Sequence, residues 1–275
     1  MKQRIITAIV LLIIAIPICI FSGTIIFPAV MAFLALAGVY EMLGCMGTRK
    51  NLLISVPLYV LALISPFLVW HEYNSFITSF KPDYSAILLP LIYALYLLAV
   101  WVFSYQKNQE VDMNKLITSA IVSLYIIGAT SSIVMVREVS GGEYYWYFIF
   151  IGAWVTDIFA YFTGMLFGKH KLIPAVSPKK TVEGAIGGAI FCVIFFVGYG
   201  VLINSLTQYD ISLVLLAFAG LFSAFVSMIG DLSMSVIKRT YGIKDYGKIF
   251  PGHGGVLDRF DSILSVAVVM ALFLA

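Results

Sequence analysis

Charge is scarce in this sequence: 11% of its 275 residues are Asp, Glu, Lys or Arg, while 61% are apolar. Soluble domains carry about a quarter charged residues, so a water-soluble globular chain is excluded. No polar stretch is long enough to build a soluble domain of its own, and every element has to share one bilayer-embedded body. Cysteine is sparse as well. Cys19, Cys45 and Cys192 lie in or beside apolar runs without a CxxC pair, which argues against a disulfide framework or a zinc site and leaves them as buried thiols. Nothing reads as a soluble linker, a low-complexity tail or a convincing internal repeat.

What the chain has in abundance is apolar runs of the length that spans a bilayer, about 17 to 25 residues. Nine are expected, over 5–22, 24–44, 52–70, 86–104, 115–136, 146–168, 182–204, 211–237 and 256–275, giving an all-α polytopic membrane protein. The first run follows Lys2 and Arg4 as a secretory signal would. It lacks a small-residue cleavage site followed by a polar mature domain, and is read as a helix.

The few cations are unevenly placed. With nine spans, one side collects Lys2, Arg4, Arg49, Lys50, Lys107, Lys115, Lys169, Lys171, Lys179, Lys180, Lys238, Arg239, Lys244 and Lys248, while the other has only Lys81 and Arg137. The positive-inside rule then puts the N-terminus and the two most basic loops in the cytoplasm and the C-terminus on the opposite side. That opposite face carries Glu72, Asp83, Glu138, Glu143 and Asp210, with Tyr144, Tyr145, Trp146 and Tyr147 where an interfacial aromatic belt belongs. Gly184, Gly187 and Gly188, at the start of the seventh run, read as close helix packing.

Carboxylates inside spanning helices are costly unless paired or wet, so each is a functional candidate. Asp157, Asp231, Asp258 and Asp261 qualify. Asp258 and Asp261 share a helical face, and Asp231 lies at a similar depth on the preceding span, so the three can meet if the spans are antiparallel neighbours. Three like charges at one spot need a cation among them. Magnesium suits an oxygen-only set; salt bridges to Lys238, Arg239 and Arg259 are the alternative. Between these helices, Gly252, His253, Gly254 and Gly255 could turn backbone N–H groups toward an anion, or simply form a tight turn.

A second basic segment runs from Gly168 to Gly184. Ser177 and Pro178 read as an N-cap and a first helical residue, placing Lys179 and Lys180 in the first turn of the seventh span. Cations there oppose the helix dipole. A bound anion would relieve the conflict, and anchoring beside acidic lipid is the other reading. Asp157 either lines a polar cavity or pairs with a neighbouring helix.

The stretch Ser235 to Asp261, with Ser235, Lys238, Arg239, Lys244, Asp245, Gly247, Phe250, Pro251, His253, Gly254, Gly255, Asp258, Arg259 and Asp261, resembles the signature of the phosphatidate cytidylyltransferases, or CDP-diacylglycerol synthases. Asp157, Ala160, Tyr161 and Gly164 resemble that family too. So do Lys169, Lys171, Leu172, Pro174, Ser177 to Thr181, Glu183, Gly184 and the triplet Gly230, Asp231 and Leu232. Residues before 140 match only in being helical. One departure is Met234, where many relatives have an acidic residue.

The resemblance implies an integral enzyme of the plasma (inner) membrane, active at the cytoplasmic face, that joins CTP to phosphatidic acid and releases pyrophosphate. It implies one transmembrane domain over 1–275, with 1–140 as scaffold or dimer helices and 141–275 as catalytic helices and loops. Metal would sit on Asp231, Asp258 and Asp261, as magnesium with or without a second ion. Phosphates would meet Lys169, Lys171, Ser177, Lys179, Lys180, Thr181, Gly254 and Gly255. Lys238, Arg239, Lys244, Asp245, His253 and Arg259 complete the expected catalytic set, His253 either donating to pyrophosphate or serving the fold, and Asp157 lines the cavity. Membrane lipids are expected partners, nucleic acid is not, and a homodimer is open to the chain. A polyprenol-type lipid kinase and an ion-coupled transporter remain as alternatives, the latter because intramembrane carboxylates and glycine-broken helices also occur in transporters.

Overall fold

The computed structural model describes residues 10, 13–74, 113–252 and 254–274. The expected span 86–104, residues 5–9, 11 and 12 of the expected span 5–22, His253, Lys2, Arg4, Lys81, Asp83 and Lys107 lie outside them. Within them the chain is an all-α polytopic membrane fold with one small hairpin. Its helices are α1 (Ile26–Cys45), α2 (Leu52–Asn74), α3 (Met113–Glu138), α4 (Gly142–Phe167), α5 (Val182–Leu206), α6 (Leu213–Thr240) and α7 (Leu257–Leu274). The first six of these are long and apolar enough to cross a membrane. α7, at 18 residues, opens with Asp258, Arg259 and Asp261 and is apolar thereafter.

Helices α1, α2 and α3 pack on one another, and α4, α5, α6 and α7 pack in sequence order; α7 also lies against α3 and α1, joining the two groups. Buried side chains fall into two clusters. One surrounds Trp146, Phe148, Phe196 and Val266. The other surrounds Val39, Met42, Leu58, Ile126, Leu257 and Leu264, and reaches Tyr246 of the loop before α7. Outward-facing residues such as Leu166, Leu206 and Leu272 are large, apolar and exposed, as expected where hydrocarbon is the solvent.

Small residues set the α4–α5 contact. A Cβ on Gly184 would lie 2.5 Å from the Ala160 carbonyl oxygen, one on Gly188 would lie 2.8 Å from that of Thr156, and one on Gly187 would collide with Thr163. The close-packing reading of these glycines therefore holds, and Phe159 stacks on Phe191 at 4.0 Å between the same helices. α4 itself is broken. Residues Ile151–Val155 form a π-turn just before Asp157, where a Cβ on Gly152 would meet Val266 of α7 at 2.7 Å. At the far end of these helices Tyr144 and Tyr145 pack edge-on to Tyr209, so the aromatic cluster sits away from the basic loops.

One local expectation fails. Ser177 and Pro178 do not start a helix: Ser177–Thr181 is a strand, β2, paired antiparallel with β1 (Lys171–Ile173). Thr181 is the N-cap of α5, its Oγ1 accepting from the Gly184 N–H at 3.1 Å. The reason lies in what anchors the hairpin. The Val182 N–H donates to the His170 carbonyl, and the Glu183 carboxylate accepts from the His170 backbone N–H and meets its Nδ1 at 2.6 Å. These contacts hold both strand ends together and delay the helix by one turn.

Candidate active site

The hairpin closes over a cavity of about 300 Å³ between α4, α5 and α6. Its lining includes Asp157, Tyr161, Met165, Leu172, Ser177, Lys179, Lys180 and Met228, with Asp157, Ser177 and the two lysines as its polar part and Met165, Leu172 and Met228 as its apolar part. On β2, Lys180 is half-buried while Lys179 stays exposed. The Lys180 ammonium pairs with the Asp231 carboxylate of α6. Asp231 also accepts from Ser235 at 3.4 Å.

Asp261, on the first turns of α7, is within electrostatic reach of Asp231 and Asp157, and Ser262 donates to Asp157 across a long 3.4 Å. Helices α6 and α7 come this close because Gly230 has no side chain; a Cβ there would collide with Ser265. Tyr125 of α3 backs the same spot, 2.5 Å from Ser265 Oγ, which in turn donates to the Asp261 carbonyl. Asp157, Asp231 and Asp261 are thus within electrostatic reach of one another, with Lys180 paired to Asp231.

Asp258 of the expected trio is engaged apart from Asp231 and Asp261 in this structure. Its Oδ1 accepts from Lys238 Nζ at 2.8 Å, and its Oδ2 accepts from the N–H groups of Tyr246 at 2.7 Å and Gly255 at 2.9 Å. The Asp258 side chain is only 4% exposed and that of Lys238 only 13%. This is the salt-bridge alternative realised for one carboxylate, with Lys238 turned inward. Among the described residues no three Asp, Glu, His or Cys side chains stand close enough together to hold a metal ion. Asp231 and Asp261, which are not saturated by backbone donors as Asp258 is, could offer two oxygen donors of the kind magnesium takes alongside phosphate and water.

The expected anion cradle at Gly254 and Gly255 is also filled from within. The Gly254 N–H donates to the Phe250 carbonyl, and the Phe250 N–H donates back to Gly254. The Gly255 N–H goes to Asp258. Gly252 and Gly254 are glycines because their φ angles, 75° and 89°, are left-handed. The Gly254 and Gly255 amides are therefore already engaged.

Below it Tyr246 is buried, donating its hydroxyl to the Met234 carbonyl at 2.8 Å. Burial, with the Cys45 thiol and Asp258 carboxylate close by, pushes the Tyr246 phenol above its ordinary value. Met234, the position that departs from an acidic residue, is itself buried at 3% exposure, in a setting made for an apolar side chain.

Arg239, Lys244, Asp245, Lys248 and Arg259 are exposed around this loop, as are Lys169 and Lys171 beside the hairpin. The lysines and arginines among them supply positive charge, and Asp245 one negative charge. Thr181, expected to meet phosphate, is buried at 6% exposure and occupied as a cap.

One residue escaped the sequence reading. Glu41 of α1, 2% exposed, accepts from the N–H of Val256 at 3.0 Å through Oε1 and of Leu257 at 2.9 Å through Oε2. A carboxylate within an apolar run was its signal. It lies near the run's end, in the half of the chain that showed no motif.

Comparison with known proteins gives the family. The sequence profile described as "Cytidylyltransferase family" matches residues 2–275. The phosphatidate cytidylyltransferase of Staphylococcus saprophyticus is 33% identical over 277 residues, covering 100% of this chain and 99% of that protein. That of Bacillus subtilis is 32% identical over 277 residues, covering 100% and 98%. That of Aquifex aeolicus is 35% identical over 188 residues, covering 67% and 66%. On the strength of a match along essentially its whole length, the chain belongs to the cytidylyltransferase family.

Proposed function

We propose that the protein transfers the cytidylyl group of CTP to phosphatidic acid at the cytoplasmic face of the plasma membrane, yielding CDP-diacylglycerol and pyrophosphate. The observation that carries this reading is a cavity at the polar end of membrane helices lined by the basic hairpin and Asp157, with Lys180 of that lining paired to Asp231. Family membership favours it over γ-phosphoryl transfer to a lipid and over ion-coupled transport.

The chemistry asks little of a general base. The second pKa of a phosphomonoester is about 6, so the phosphatidate oxygen is already ionised near neutrality. It attacks the α-phosphorus of CTP while the bond to the β-phosphate oxygen breaks, and pyrophosphate leaves with that electron pair. The barrier lies in bringing two polyanions together and aligning them in line. Lys179, at the cavity rim, meets the lipid phosphate, while the cavity's apolar wall of Met165, Leu172 and Met228 faces the glycerol end of the lipid. Lys180 exchanges Asp231 for phosphate as substrate arrives. Arg239, Lys244 and Lys248 draw CTP to the loop. Magnesium, held by Asp231 and Asp261 together with substrate oxygens, would supply charge neutralisation when bound.

The direct test supplies purified protein with phosphatidic acid, magnesium and CTP labelled either in cytidine or in the γ-phosphate. Cytidine label in lipid, one pyrophosphate per lipid product and loss of turnover with chelator are expected. Transfer of the γ-label to lipid would instead establish a kinase.

A further inference from the structure

We infer that Glu41, from the half of the chain without catalytic motifs, is a positioning residue that sets the signature loop and the first turn of α7 for catalysis. The inference rests on the cytidylyl-transfer reading. It begins with the three amides that open α7. In most helices such N–H groups are met by a local cap residue or by water. Here the Gly255 N–H goes to Asp258, within the same turn, while the Val256 and Leu257 N–H groups go to the two oxygens of Glu41, more than two hundred positions away. A carboxylate on helix amides also suits the positive end of the helix dipole.

The surroundings are shaped to this carboxylate. Gly247 and Gly255 face each other across it, and a Cβ on either would collide with Glu41. Neither has a left-handed backbone, since the positive-φ glycines among the described residues are Gly47, Gly141, Gly242, Gly252 and Gly254. Space for Glu41, not conformation, makes these two positions glycine. Both ends of the loop 247–255 are thereby pinned to α1. Asp261 follows one turn after Leu257 on α7, so the amides that Glu41 holds fix where that carboxylate stands relative to Asp231 and Lys180.

Glu41→Gln keeps the size but presents an amide donor to one of the two N–H groups. Hydrogen exchange of the purified, full-length protein should quicken at least tenfold over 246–258, while the α5–α6 contact keeps its protection. The turnover number per folded molecule should fall at least tenfold with the KM for phosphatidic acid unchanged. Val39→Ala, two positions away in the same helix and fully buried, should lower thermal stability without that fall. Unchanged exchange in 246–258, or faster exchange with full turnover, overturns the inference. If Glu41→Gln does not fold, Gly255→Ala reads the same contact from the other side. It should slow turnover with Glu41 present and do no further harm beside Glu41→Ala; equal harm in both backgrounds overturns the inference. Absence of cytidylyl transfer by the wild-type protein would reject the functional reading alone, because the exchange arm still decides whether Glu41 holds the loop.

Discussion

Asp258 and Asp261 are three positions apart on one helix, yet their surroundings assign them different work. Asp258 accepts two backbone amides and a lysine in a nearly closed setting, so Asp258→Asn should strand the Lys238 charge. Breaking one partner of a buried pair typically costs about 3–5 kcal/mol, and thermal unfolding in detergent should show a clear drop without any substrate present. The Asp261 carboxylate accepts its neighbour's amide and stands among like charges. Asp261→Asn should therefore leave unfolding nearly unchanged or raised, while cytidylyl transfer is lost. Equal destabilisation of both variants would mean that the two carboxylates share one structural role.

At the scale of elements, the hairpin β1–β2 is what turns two lysines of a loop into one cavity wall and one ion-pair partner. Its base is held by the Thr181 cap and by Glu183 on His170. Loss of a threonine cap costs about 1 kcal/mol. Thr181→Ala should thus lower stability by that order, and should raise the KM for phosphatidic acid because Lys180 loses its fixed direction. Helix contact sets the other wall. Gly184→Val would drive side-chain atoms into the Ala160 carbonyl and push α5 from α4, separating Lys180 from Asp157. Inserted protein with little activity is expected, measured as turnover per correctly sized, monodisperse particle. Full activity would show that the cavity does not depend on this close approach.

At the scale of the whole molecule, α7 is the common wall of both helix groups, packing on α6 on one side and on α3 and α1 on the other. The polar ends of α4, α5, α6 and α7 meet at the basic loops, and the tyrosine cluster around Tyr209 marks the other end. Cysteine placed at Lys244 should be labelled only from the cytoplasm, and cysteine placed at Glu143 only from the opposite side. Labelling of Lys244 from outside would deny the site cellular CTP and reject the proposed function.

The sequence alone determined the solvent, the class and the family. Apolar runs long enough to span a bilayer admit only helices where the backbone finds no water, and the polar residues from Asp157 onward are too specific in type and spacing to be mistaken. It also placed Asp157, Lys180, Asp231 and Asp261 as candidates, because an ionisable residue in hydrocarbon has to have a reason. Only the tertiary structure decided which of them meet. Spacing on α7 put Asp258 and Asp261 on one face, but it could not show that Tyr246 and Gly255 fold back to claim Asp258. Nor could local signals reveal that Ser177 and Pro178 would enter a strand, since the contacts that override them come from His170 and Glu183. Glu41 is the extreme case: its partners are at the start of α7, at the other end of the chain, and no period or cap around Glu41 points across that distance.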